Sequence, residues 1–573
     1  MNKYIQKMIV GGTGLLILTS LSPTLNAAAA TSPVILQGVY NSHQVNVDAN
    51  GQNIVGDKAN EPSIAMSLVN QNNIVVGWRS FADATIPNKQ AGYGYSFDGG
   101  LSWSNGILPS EPLQQRTDPV LDTDALGSFY YQSMGLGSGS QSSMFKSTDG
   151  GVTWSDPVDQ FLGDKNWMMI DKTGGSSTGN IYSTWRRAGS SHPDPNYIPK
   201  YFIRSTDGGV SYQEPDVGLP VINFGFGRIA IASNGDVYLS GIKEDSSTVN
   251  SIAIIRGGHY FLKSVNAKDP DVSPIFTSQQ VEMGGNAVSL YTQNGPNPIG
   301  ADGDVQIATD TSAGVMGGNI YMFHYTQSYS WQTGDDPLDV HFIRSEDGGD
   351  TWSAPVRVND DVPAAQSYQY FPMLGVAPNS RLDAVWYDTR NGTGDKPGSI
   401  SQLYYSYSWD GGVSWSENQA VTPSFNTHLP TKLVNGTLRQ TDKIGDYTHL
   451  VSDANGAHLA YSATFNGEQD VYYLNVFPDC NNNAISDVID LTQGSQDTDA
   501  NNIPDECEIT IITGDLDSDG DVDRDDMSII LASRNQPASG VDDPKDINGD
   551  GMITVRDVRE LKALCTRFRC ATE

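Results

Sequence analysis

One octamer recurs five times in this chain. It reads Ser96-Phe-Asp98-Gly-Gly-Leu-Ser-Trp103, Ser147-Thr-Asp149-Gly-Gly-Val-Thr-Trp154 and Ser205-Thr-Asp207-Gly-Gly-Val-Ser-Tyr212, then Ser345-Glu-Asp347-Gly-Gly-Asp-Thr-Trp352 and Ser408-Trp-Asp410-Gly-Gly-Val-Ser-Trp415. Asp-Gly-Gly between β-rich segments is a hairpin signal. The Asp side chain can bond N–H groups of its own turn, and Gly tolerates positive φ. A closing Trp can fold back over the hairpin.

A looser repeat surrounds the octamer: an apolar strand, a Gly/Asn turn, and a strand rich in Tyr, Val and Trp. Its units begin at Glu61, Asp118, Asn166, Arg228, Asp304, Phe371 and Asp446, at intervals of 48 to 76 residues. Five of the first six units end in the octamer; the fourth carries Ile254-Ile-Arg-Gly-Gly-His-Tyr260 there. Repeated four-stranded units without helix signals predict an all-β propeller, with seven blades favoured over six. The seventh unit lacks a fourth strand after Val476. The segment Val34–Val47 could supply it and close the ring, which removes exposed edges.

The five octamers resemble the Asp-box (BNR) motif of sialidase-like β-propellers. In that family the Asp box is structural and lies away from the active face, so the resemblance implies that none of these five aspartates is catalytic. It also implies that each blade's first strand lines the central channel and starts on the ligand face. The candidate catalytic set is therefore Arg228, Asp118, Glu61, Asp304, Tyr370 and Asp446, with Arg116, Asp302, Tyr368, Arg439, Asp442 and Tyr447 nearby. Clustered carboxylates raise one another's pKa, and paired carboxylates are the usual glycosidase equipment. Sialidases use three arginines, a Tyr–Glu nucleophile pair and an Asp acid/base. This chain departs from that pattern. Asn60-Glu61-Pro62-Ser63 stands where the family's Phe/Tyr-Arg-Ile-Pro opens the first blade, and Phe226-Gly-Arg228-Ile in the fourth unit is the nearer match. Arg79, Arg186, Arg187 and Arg390 follow Trp-rich strands and could also point at the channel.

The ends of the chain differ from its body. Lys3 and Lys7 precede an apolar run from Met8 to Leu21 and the small residues Ala27–Ala30, the pattern of a secretory signal peptide over 1–30. The run is short for a membrane span, so a secreted protein is expected. The propeller then occupies 31–477. Beyond it the chain is strongly acidic: residues 479–573 hold 22 acidic and 8 basic side chains, −14 of a formal −33. Such a charge disfavours nucleic acid and suggests a bound cation. All four cysteines lie in this tail; 480–507 with 565–570 is one of three connectivities.

Within the tail, Asp515, Asp517, Asp519, Asp521, Asp523 and Asp526 fit a twelve-residue EF-hand loop, with Gly520 at its sixth position. Asp546, Asn548, Asp550, Met552, Thr554 and Asp557 repeat it, Asp521 and Met552 ligating through their carbonyls. Two such loops over 509–573, each followed by a short helix and each with Asp at position twelve, resemble a type I dockerin. That resemblance implies Ca²⁺ and a cohesin-like or cell-surface partner. Between propeller and loops, the spacer 478–508 contains Asp479-Cys-Asn481-Asn-Asn483-Ala-Ile-Ser-Asp487 and Asp497-Thr-Asp499-Ala-Asn501-Asn-Ile503-Pro-Asp505, which resemble thrombospondin-type-3-like calcium repeats.

The functional expectation is a secreted sialidase-like glycoside hydrolase acting on extracellular glycans. A non-catalytic glycan- or protein-binding propeller is the first alternative. A polysaccharide lyase using a pair such as His449 and Tyr447 is the second.

Overall fold

A computed structural model describes residues 32–571 except 83–87, 110–114, 137–141, 161–162, 187–200, 214–217, 222–223, 244–247, 250–253, 256, 290–294, 298–302, 333–334, 363–365, 393–398, 429–442, 482, 499–501, 508–513, 515, 517–521, 541–542 and 567–569. The signal-peptide segment and Arg187, Asp302, Arg439 and Asp442 lie outside the described residues.

Seven antiparallel sheets surround one axis. Their innermost strands are Lys58–Met66, Gln115–Thr123, Asp164–Ile170, Ile229–Ile231, Gln306–Thr309, Gln369–Val376 and His449–Ser452. Each contacts the next, and the last returns to the first. The seventh blade is closed as its missing strand requires: Tyr40–Gln44 pairs with Asp470–Val476, and Val34–Gln37 adds a further strand outside it. The fold is thus a seven-bladed β-propeller whose closing blade joins both ends of the propeller segment.

The octamers sit where each third strand ends, on the face opposite the starts of the inner strands. In each, the Ser hydroxyl donates to the Asp, and the Asp accepts the N–H and hydroxyl of the residue four places on. For Asp347 these bonds are 2.8, 2.9 and 2.5 Å, and they hold its carboxyl down to about 2. The second glycine has an interblade role. Gly412 has φ +82°, and a Cβ there would lie 2.1 Å from the Phe342 ring of the preceding blade. Trp415 packs on the same ring at 5.2 Å. The octamer therefore latches each blade to its neighbour.

The fourth blade corrects the sequence reading. Ile254–Ile255 belongs to a small separate sheet with Thr248–Val249 and Val288–Ser289. The third strand is His259–Ser264, and its turn is a diverged octamer in which Ser264 Oγ accepts from Ala267 N (3.0 Å) and donates to Asn266 (3.1 Å).

Candidate functional site

The inner strands share a backbone device at the channel mouth. Glu61, Asp118, Lys165, Phe226, Gly303, Phe371 and Gly445, one per blade, all have positive φ, between 45° and 111°. In the first, second, third and sixth blades the ladder slips there, between Asn60/Ser63, Thr117/Val120, Asp164/Trp167 and Tyr370/Met373. These are β-bulges, which re-aim a side chain at the cost of left-handed backbone, about 1–2 kcal/mol for each non-glycine residue. Strain of this kind clusters at functional sites.

The bulges gather a charged network. Glu61 Oε2 lies 3.0 Å from Arg79 Nη1, and Arg79 Nε donates to Asn60 Oδ1 at 2.7 Å. Asn60 donates in turn to Gln469 Oε1 (2.9 Å) and to the Lys443 carbonyl (3.1 Å). Asp446 pairs with both Lys165 and Lys443. Asp118 accepts from Thr117 Oγ1 (2.8 Å) and from the Lys165 backbone N–H (3.2 Å).

The two central carboxyls are pushed in opposite directions. Burial raises Glu61 above the usual range; Arg79 and Lys165 oppose this only in part, and Asp446 and Asp118 add to the rise. For Asp446, burial is outweighed by Lys165 and Lys443, which hold it far below the usual range. The same carboxylates keep Lys165 firmly protonated against its burial.

Deeper in the channel, Arg228 lies over Trp167 with Cζ 3.6 Å from the ring centroid. Its Nη2 donates to the Thr448 carbonyl (2.8 Å), and its Nε is 3.5 Å from Asp304 Oδ2. Burial lifts Asp304 to about 6 despite Arg228 and Lys165, and lowers Arg228 to about 10. Tyr447 donates its hydroxyl to the Pro119 carbonyl at 3.0 Å. His449 Nδ1 accepts from Ile64 N (3.3 Å) and meets Ser63 Oγ (3.1 Å); burial keeps this imidazole neutral. Trp167, Arg228 and His449 also line a cavity of about 430 Å³, together with Leu121, Ile307, Leu374 and Leu450.

Of the sequence candidates, Glu61, Asp118 and Asp446 come together, with Arg228 and Asp304 one layer below. Tyr370 does not join them. It is wholly buried inside the sixth blade, where its hydroxyl meets Ser401 Oγ at 2.8 Å. Lys165 and Lys443 were missed. The sequence reading starts the third unit at Asn166, but the bulge falls one residue earlier, at Lys165. Aligning Trp167 with Ser63 and Val120, which follow the bulge in the first two blades, would have exposed it. In the fourth, fifth and seventh blades the positive-φ residue likewise precedes the unit start, at Phe226 two residues before Arg228, and at Gly303 and Gly445 one residue before Asp304 and Asp446.

The tail forms both disulfides, Cys480–Cys507 and Cys565–Cys570. Its C-terminal unit packs Val522, Ile530, Ile553 and Leu561 between helices Arg524–Ala532 and Val555–Leu561. Asp515, Asp517, Asp519 and Asp521 lie outside the described residues. Asp523 and Asp526 form the capping box of the first helix, and Thr554 and Asp557 that of the second. In the second loop, Asp546 accepts from Asp550 N (3.1 Å) and Gly551 N (2.7 Å), and Gly551 has φ +83° at the sixth position. Oxygen donors in this order on a folded twelve-residue loop fit Ca²⁺. Among the described residues no helix is long and apolar enough to cross a membrane.

No protein-family model matches this chain, and no curated protein matches it. Solved structures do. A protein of unknown function from Dyadobacter fermentans DSM 18053 is 16% identical with a TM-score of 0.38, covering 76% of this chain and 98% of that one. The Hadza microbial sialidase Hz136 is 13% identical at TM-score 0.36, covering 73% and 65%. An ulvan lyase of polysaccharide lyase family PL25 is 9% identical at TM-score 0.41, covering 78% and 94%. Similarity at this level leaves the activity to be argued from the site itself.

Proposed function

We propose that this protein is a secreted glycoside hydrolase whose active centre is the charged network at the channel mouth. The observation that carries the reading is the opposed tuning of Glu61 and Asp446. Two carboxyls in one cluster, one whose pKa burial raises and one whose pKa its lysines lower, are the equipment of an acid-catalysed glycosidic cleavage. Glu61 would protonate the leaving oxygen. Asp446, held by Lys165 and Lys443, would act on the opposite side of the sugar as the ionised partner. Arg79 and Arg228 are each committed to a carboxylate of their own, so the reading is a carboxylate-pair glycosidase rather than one built on a sialidase's three arginines. The two C-terminal loops would hold Ca²⁺ through Asp515, Asp517, Asp519, Asp521, Asp523 and Asp526, and through Asp546, Asn548, Asp550, Met552, Thr554 and Asp557. They would anchor the propeller to an extracellular partner such as a cohesin-like protein.

One observation favours a second reading. Glu61 exposes none of its surface. If the network is a plug that fills the axis, the propeller binds glycans without cleaving them. The lyase reading is weakened because the Tyr447 hydroxyl is already bound to a carbonyl.

The test is a panel of aryl glycosides, a sialoside and an arabinofuranoside included, with wild type and Glu61→Gln. Hydrolysis by wild type that is lost in the variant supports the enzyme. Silence on every glycoside, with glycan-array binding retained, supports the binding propeller.

A further inference from the structure

The chain leaves the seventh blade at Val476 and within three residues enters a loop from Asp479 to Asp490. In its hydrogen bonds this loop matches the second EF-hand-like loop. Asn483 N donates to Asp479 Oδ1 (3.0 Å), Ala484 N to Asp479 Oδ2 (2.9 Å), Asn483 N to Asn481 Oδ1 (3.1 Å), and Ile485 N to Asn483 Oδ1 (2.7 Å). The corresponding bonds in the other loop are Asp550 N to Asp546 Oδ1, Gly551 N to Asp546 Oδ2, Asp550 N to Asn548 Oδ1, and Met552 N to Asp550 Oδ1. Ala484 takes φ +68° where Gly551 takes +83°. An alanine accepts that conformation only under local constraint.

A separate observation points to a missing ligand. Asp487 is wholly buried, and its carboxylate is turned into the loop, with Oδ1 accepting from Cys480 N at 2.9 Å. Its other oxygen, Oδ2, is buried with no hydrogen-bond partner. The neighbouring charges that act on it, Asp479, Asp490 and Glu506, are all negative. A buried carboxylate oxygen without a partner is unfavourable unless a cation meets it. The sulfurs near it, Cys480 and Cys507, are joined in a disulfide and cannot serve as thiolates. Oxygen is the ligand type on offer.

The loop is also tied to the ring. Ser486 Oγ donates to the Asn455 carbonyl, in the first turn of the seventh blade, at 2.7 Å. Tyr40, on the strand that closes the ring, donates to the Phe477 carbonyl (3.3 Å) and to Gln419 of the sixth blade (2.7 Å), with its ring 5.8 Å from Phe477. Asp479 and Asp487 both act electrostatically on this tyrosine.

We propose that Asp479, Asn481, Asn483, the Ile485 carbonyl, Asp487 and Asp490 bind a calcium-class divalent cation, and that this ion clasps the seam where the propeller closes. The segment is then part of the propeller's closure rather than only a spacer. The site is independent of the two C-terminal loops and of any catalytic activity.

The experiment uses the full chain with Asp515→Ala and Asp546→Ala, which silences the C-terminal loops. Calcium binding is followed by calorimetry, and unfolding of the propeller by tryptophan fluorescence, with CaCl₂ and with chelator. The expected result is calcium still bound and a rise of about 3–5 °C in the propeller's melting temperature, the size that saturating one tight site gives. Adding Asp487→Asn should remove one calcium equivalent and abolish the rise. If that variant does not fold, Asp490→Asn in the same background must weaken calcium binding at least tenfold. No calcium bound in the double variant, or an unchanged propeller transition with calcium bound, would overturn the proposal.

Discussion

Gly445 lies so close to Glu61 that a Cβ on the glycine would sit 2.6 Å from Glu61 Cγ. This approach, with Gly445 at φ +111°, lets the seventh inner strand deliver Asp446 to the same cluster as Glu61. The first and last blades thus meet at the two carboxyls whose pKa values are shifted in opposite directions.

Gly445→Ala tests that approach. The added methyl meets Glu61 backbone and side chain together, so neither can simply rotate away. The expected cost is roughly 2–4 kcal/mol, combining overpacking with left-handed backbone. It is read as a lower melting temperature and loss of whatever activity the site supports, whereas Gly467→Ala, with open space around its Cβ, should cost only the backbone component.

Lys165→Met removes a charge that Asp446 depends on. Breaking one partner of a buried ion pair costs about 3–5 kcal/mol. The double variant Lys165→Met/Asp446→Asn should recover much of that loss. Thermal unfolding of the two checks it; a double variant no more stable than the single would show that the pair is not coupled.

Asp410→Ala and Gly412→Ala separate the two roles of the octamer. The first loses bonds within an exposed turn, about 1 kcal/mol. The second drives a methyl into Phe342 and should cost more, roughly 2–4 kcal/mol. Neither should alter the pH dependence of activity, because the octamers lie on the opposite face.

Asp57 gives the clearest pH dependence. Burial, then Asp470, lifts it to about 7, with Oδ1 buried and unpartnered. A carboxyl raised in the folded state stabilises fully below its unfolded value, and that contribution is lost as pH rises through the folded value. Stability should therefore fall between about pH 4 and 7 on this account. Asp57→Asn should raise the melting temperature at pH 8 and leave it nearly unchanged at pH 4.

The ring was legible because closure has a sequence signature. Repeated Asp-Gly-Gly turns marked the third-strand ends, and an unpaired strand at Val476 called for a partner near Val34–Val47. The register of the inner strands was not legible. A bulge adds one residue without changing composition, so Asn166 looked as good a start as Lys165. The fourth blade's turn was hidden because Asn266 and Ala267 stand where Asp and Gly would be. Tyr370 does not reach the channel because it stands immediately before the bulge residue Phe371, and strand alternation sends it into the blade interior.

Infrared difference spectroscopy against Glu61→Gln and Asp446→Asn, titrated from pH 3 to 9, measures directly which carboxyl holds the proton. The account predicts that the protonated C=O band removed by Glu61→Gln persists to a higher pH than any band removed by Asp446→Asn. If Glu61 ionises at or below the pH at which Asp446 does, Arg79 has claimed it as a structural partner and the acid–base assignment is wrong.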